Sequence, residues 1–117
     1  MQDHAPDSFR FAGMVTEWRG PAPFHFVPVP SELVQELREA ARGYSYGWGV
    51  IPADVVVSAA TGARAAYATS LFPREGGFLV PLKDKPRRFL EVTLGNEVFI
   101  VLTLRRGPAS AAVMLVR

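Results

Sequence analysis

The chain has 117 residues and a mass of 12.8 kDa, room for one domain but not for two of ordinary size. Hydrophobic residues make up 49% and charged residues 21%, which excludes a disordered polar chain. Thirteen Lys and Arg against 11 Asp and Glu leave a net charge of +2, which excludes a strongly polycationic nucleic-acid binder but permits a local basic patch.

There is no Cys, hence no disulfide framework, thiolate metal site or cysteine nucleophile. Residues 1–8 open with Met1-Gln2-Asp3-His4, too acidic and polar for a signal peptide, and are expected to be a flexible tail. No uncharged apolar run approaches the roughly 20 residues that span a bilayer. The expectation is a cytoplasmic protein, monomeric or weakly homodimeric. A single β domain is expected over residues 9–106, followed by an apolar extension over 107–117.

Gly and Pro, at 10 each, divide the chain into short elements. Phe9, Phe11, Gly13 and Val15 alternate with Arg10, Ala12 and Met14, a strand pattern. Trp18-Arg19-Gly20-Pro21-Ala22-Pro23 is a loop, because its prolines and glycine forbid a continued ladder. A second strand covers Phe24 to Val29, with Phe24 and Phe26 on one face and His25 opposite. The period then changes. A helix is predicted from Ser31 to Arg42, with Ser31 as N-cap, an apolar stripe of Leu33, Val34, Leu37, Ala40 and Ala41, and Gly43 as C-cap.

Asp54 to Ser58 and Arg64 to Leu71 read as strands joined at Thr61-Gly62, and Pro73 to Gly77 as a turn into a strand over Phe78 to Leu82. A short helix lies near Lys85 to Leu90, capped by Asp84, with Pro86 tolerated in its first turn. Val98 to Leu104 is the clearest strand. Ala111 to Val116 is left open between an edge strand, a subunit contact and disorder.

Val27-Pro28-Val29 recurs as Val80-Pro81-Leu82, 53 positions on, each ending a strand and preceding a helix. Both halves thus read as ββαβ, and two such units related by a pseudo-twofold can close a core that one cannot.

The stretch Leu79-Val80-Pro81-Leu82, through Arg87-Arg88-Phe89-Leu90, to Leu94-Gly95-Asn96-Glu97-Val98 resembles the AbrB-type swapped-hairpin motif, with Asn96 in place of the usual Asp. That resemblance implies a DNA-binding regulator. The whole chain is more closely similar to an uncharacterised bacterial family, the domain of unknown function numbered 1905. The matching stretches are Trp18 to Val27, Tyr46 to Pro52, Thr69 to Pro73, and Pro81-Leu82-Lys83 with Arg87. This resemblance implies a single-chain double-split β-barrel and no known reaction.

Catalytic signals are weak. Of two histidines, His4 lies in the tail and His25 on a strand, where pairing with Thr69 or Ser70 would be needed for nucleophilic chemistry. Two distant His without Cys give no metal-ligand spacing, and no cofactor motif is present. Glu32, Glu36 and Glu39 form the polar face of the first helix. The segment Gly43 to Gly49 follows a helix instead of opening one, so it is not a phosphate loop.

Two features point to binding. Trp18 and Trp48 sit in Gly- and Pro-rich loops, suited to lining a pocket. Lys83, Lys85, Arg87 and Arg88 surround the start of the second helix, and Arg74 on the neighbouring turn is expected to join them. The sequence therefore favours a non-catalytic domain that binds a small anionic ligand or a protein partner. Its expected contacts are Trp18, Arg19, Trp48, Thr69, Ser70, Lys83 and Arg87. The alternative is DNA binding through Arg74, Lys83, Lys85, Arg87 and Arg88, against which the low net charge counts. An enzyme using Ser70 or His25 ranks third. Arg105-Arg106 is expected only to end the last strand.

Overall fold

The computed structural model describes residues 8–21, 24–44, 50–106 and 112–117. The elements run β1 (Ser8–Met14), β2 (Thr16–Trp18), β3 (Phe24–Pro28), α1 (Ser31–Ala40), a 3-10 turn (Ala41–Gly43), β4 (Ile51–Ser58), β5 (Arg64–Arg74), β6 (Gly77–Leu82), α2 (Asp84–Leu90), β7 (Glu97–Leu104) and β8 (Met114–Val116). The protein is mainly β. One curled sheet has the order β1-β7-β4-β5-β6-β3-β2, with β8 added on β5.

Alternation decides what the sheet encloses. Phe9 and Phe11 of β1, Val55 and Val57 of β4, Ala65 and Tyr67 of β5, and Val98, Ile100 and Leu102 of β7 all face the core. Burying a side chain such as Ile100 or Leu102 stabilises the fold by about 2–3 kcal/mol. Leu37 carries the apolar stripe of α1 into the same core.

Two long strands change partners midway. β1 pairs with β7, and after Val15 the chain continues as β2 against β3. Val15 is buried and tied at the bend: its N–H donates to the Asn96 carbonyl at 2.8 Å, and its own carbonyl accepts the Gly95 N–H at 2.9 Å. β5 likewise pairs with β4 through Leu71 and with β6 from Phe72. The remaining pairs are centred on matched residues, Val27 opposite Val80 in β3–β6 and Val56 opposite Val101 in β4–β7. Where β1 passes β3, a Cβ on Gly13 would lie 2.5 Å from Val27 Cγ1 and 3.4 Å from the Pro28 carbonyl oxygen, so the crossing requires glycine.

Several boundaries depart from expectation. β5 runs on through Pro73 to Arg74, and the expected five-residue turn shrinks to Glu75 and Gly76. Those two residues have φ of 50° and 83°, the paired positive values whose twist suits a two-residue hairpin. β4 begins at Ile51, ahead of Asp54. Ser31 is not a cap: Pro30 occupies that position, its carbonyl accepts the Leu33 N–H, and no side chain caps the helix. Regular α-helix ends at Ala40, and the residues through Gly43 tighten into the 3-10 turn. Asp84 is the first residue of α2 and Lys83 its cap. In the C-terminal extension, Met114–Val116 adds to β5 with Leu115 opposite Ala65 and packed against the core.

Candidate functional site

A concave site lies where α1 meets the β5–β6 hairpin. A cavity of about 460 Å³ is lined there by Arg38 and Arg42 from the helical side and Arg74 from the hairpin. Buried Ala41, Ile51 and Phe78 form its apolar floor, and exposed Glu75 stands at its rim. Arg38 and Arg42 are four residues apart and so share a helical face. The two-residue turn brings Arg74 and the Gly76 carbonyl over that face. Arg38 is held in place: its Nη2 donates to the Gly76 carbonyl at 2.7 Å, its Nη1 donates to Gln35 Oε1 at 3.3 Å, and its guanidinium lies 5.7 Å from the Phe78 ring centre. Three arginines and one glutamate thus line a single concave space, all four exposed to solvent.

A second cavity of about 420 Å³ shares Arg74, Glu75, Gly77 and Phe78 with the first and adds Glu17, Trp18 and Phe26. Trp18 is fixed by its own loop, since a Cβ on Gly20 would lie 2.1 Å from the indole. Its ring begins a tilted series with Phe24 at 5.8 Å and Phe26 a further 5.5 Å on. Glu17 is engaged by Arg19 at 3.4 Å and lies 4.0 Å from His25 Nε2.

The sequence-predicted residues divide into separate places. Trp18 and Arg74 line one cavity. Thr69, Ser70 and Lys83 belong to the zone where β5 changes partners. There Lys83 Nζ donates to the Ala68 carbonyl at 2.9 Å and lies 5.7 Å from the Tyr67 ring centre. Tyr67 donates its hydroxyl to the Pro81 carbonyl at 2.7 Å. Burial pushes the Tyr67 phenol well above its ordinary range, against a smaller opposing effect of the Lys83 backbone. Arg87 is half-buried, 3.9 Å from Asp84, with its Nε enclosed and without a hydrogen-bond partner. Arg19, Lys85 and Arg88 are exposed. Arg74 does not join the α2 cations: it pairs with Gly77 at the far end of β6 from Lys83, about 20 Å away at roughly 3.3 Å per residue. Trp48 lies outside the described residues.

Arg105 and Arg106 do more than end β7. Arg105 Nη2 donates to the Thr69 carbonyl at 3.3 Å and its Nε lies 3.3 Å from Asp54, while Arg106 stacks 4.4 Å from the Tyr44 ring centre. Arg38 and Arg42 were absent from the sequence-derived set, although their four-residue spacing was the signal that could have found them. Among the described residues no group of three His, Asp or Glu could hold a metal ion, and no helix is long and apolar enough to cross a membrane.

The model of a family described as a domain of unknown function (DUF1905) matches residues 11–102, and the chain belongs to that family. No curated protein matches the chain.

Proposed function

We propose that this member of the DUF1905 family is a binding protein whose groove between Arg38, Arg42 and Arg74 takes a small anionic ligand. The observation that carries this reading is that three arginines line one apolar-floored cavity of about 460 Å³, a size suited to a metabolite. Guanidinium is planar, permanently charged and able to give two parallel N–H donors to a carboxylate or phosphate. Trp18, in the adjoining cavity, offers an aromatic surface to an uncharged part of the same ligand. Lys83 and Arg105 serve the strand junction in this reading, because backbone carbonyls already engage them.

The architecture is best read as a double-split barrel of two ββαβ halves. Its support is the matched valine pairs and the two strands that change partners at corresponding points, after Val15 and after Leu71.

Thermal unfolding at low salt with inorganic phosphate, pyrophosphate or citrate tests the function. An anion at 100 times its dissociation constant should add about 2.7 kcal/mol, a midpoint rise on the order of 10 °C. Arg74→Gln should weaken that anion about tenfold or more while leaving the unliganded midpoint in place. Lys85→Gln should bind as the parent does. A flat midpoint with all three anions, or full binding by Arg74→Gln, would overturn the reading.

A further inference from the structure

We infer that the outer face of β1, β7, β4, β5 and β8 is a contact surface for a second copy of this chain. Among the described residues, eight large apolar side chains are exposed, and five lie on this one face: Met14 (56%), Val56 (36%), Phe99 (56%), Met114 (65%) and Val116 (41%). Register, not chance proximity, aligns them. Val101, Val56, Ala66 and Met114 form one row across four strands, with Arg10 at its end. The next row holds Ala12, Phe99, Ser58, Arg64 and Val116.

The size of the face sets the strength of the contact. Five strands at about 4.8 Å, and a height of about 20 Å, give a footprint on the order of 500 Å². A face of that size falls within the roughly 300–600 Å² of the largest patch on a typical monomer, which is often functional. It falls short of the roughly 800 Å² per partner of a standard interface, so the dimer is weak and concentration-dependent.

The charges select the occupant. Arg10, Arg64, Asp54 and Glu97 all project from this face and are exposed, two of each sign at its margins. With Arg105 bonded to Asp54 at the same margin, three cations face two anions, and a net charge of only +1 suits neither a nucleic acid nor an anionic membrane. When two copies stack about a twofold lying diagonally in the face, Arg10 meets Glu97 of the other copy and Arg64 meets its Asp54. An isologous contact needs this reciprocity. Asp54 keeps its bond to Arg105 within its own chain.

Sedimentation velocity of the full chain from about 5 µM to about 1 mM decides the matter, a range that covers weak association. The wild type should shift from monomer towards dimer. Phe99→Glu, and independently Val56→Lys, should stay monomeric throughout with an unchanged thermal midpoint. Arg10→Glu should weaken association at least severalfold, and adding Glu97→Arg should restore it. A wild type that is monomeric at the highest concentration would overturn the inference, as would a dimer that survives both apolar-to-charged variants.

Discussion

Replacing Gly13 with alanine probes the crossing of β1 past β3 through the sign of the effect. In an unobstructed strand, Gly→Ala raises stability by roughly 0.5–1 kcal/mol, because glycine loses more backbone freedom on folding. At Gly13 the added methyl would stand 2.5 Å from Val27 Cγ1 and 3.4 Å from the Pro28 carbonyl. Val27 is fully buried and lies in the β3–β6 pair, so it has little room to yield. Overpacking of this kind costs about 1–3 kcal/mol, which outweighs the gain. The net expectation is a loss of about 1–2 kcal/mol, a midpoint fall of about 5–15 °C for a domain near 100 residues. Val27→Ala alone should cost about 1–3 kcal/mol through its cavity. In that background the clash is gone, and Gly13→Ala should become stabilising. The assay is a double-mutant cycle by urea and thermal unfolding. Stabilisation by Gly13→Ala in the parent, or equal destabilisation in both backgrounds, would refute the crossing argument.

Tyr67→Phe removes the hydroxyl that donates to Pro81 and should cost about 1 kcal/mol in urea unfolding, since a part-buried carbonyl loses its partner. Burial holds the folded phenol above its unfolded value, so its contribution is complete below about pH 10 and declines as the pH rises further. There only the unfolded chain releases the proton, with a slope of at most about 1.4 kcal/mol per pH unit. Parent and Tyr67→Phe stability curves should converge above that pH; parallel curves would contradict the assignment. Leu115→Asp should release β8, so that amides of Met114–Val116 exchange faster while those of β4 stay protected. Uniformly faster exchange would instead make β8 part of the global folding unit.

Local periodicity carried most of the architecture. The alternation around Phe9 and Phe11, the stripe of α1 and the repeated Val-Pro pairs depend on near neighbours, so they could be read from residues alone. That Val27 sits opposite Val80 was not legible from the repeat and comes from the register of β3 on β6. Pro73 misled because proline usually ends a strand, whereas here it stays in the ladder with β6. That one difference moved the site. A five-residue turn leaves Arg74 in a loop near α2, while a two-residue turn places it at the far end of β6, beside α1. The engagement of Lys83 with the Ala68 carbonyl is likewise a consequence of long-range strand exchange, and nothing in its neighbours announces it. Family membership was legible from stretches such as Trp18 to Val27 and Thr69 to Pro73, and the family match agrees.

The β1–β7 pairing has a kinetic side. Ser8 and Thr103 are bonded partners 95 residues apart. Closing so large a loop costs little more free energy than closing one of half the length, but such distant pairings slow folding. The β5–β6 hairpin can zip early, its turn being only two residues long. β1 must wait until β7 is in place, and during that interval Phe9 and Phe11 have no strand beside them. The productive route therefore depends on how quickly the last long strand arrives, and the chain is most open to aggregation just before it does.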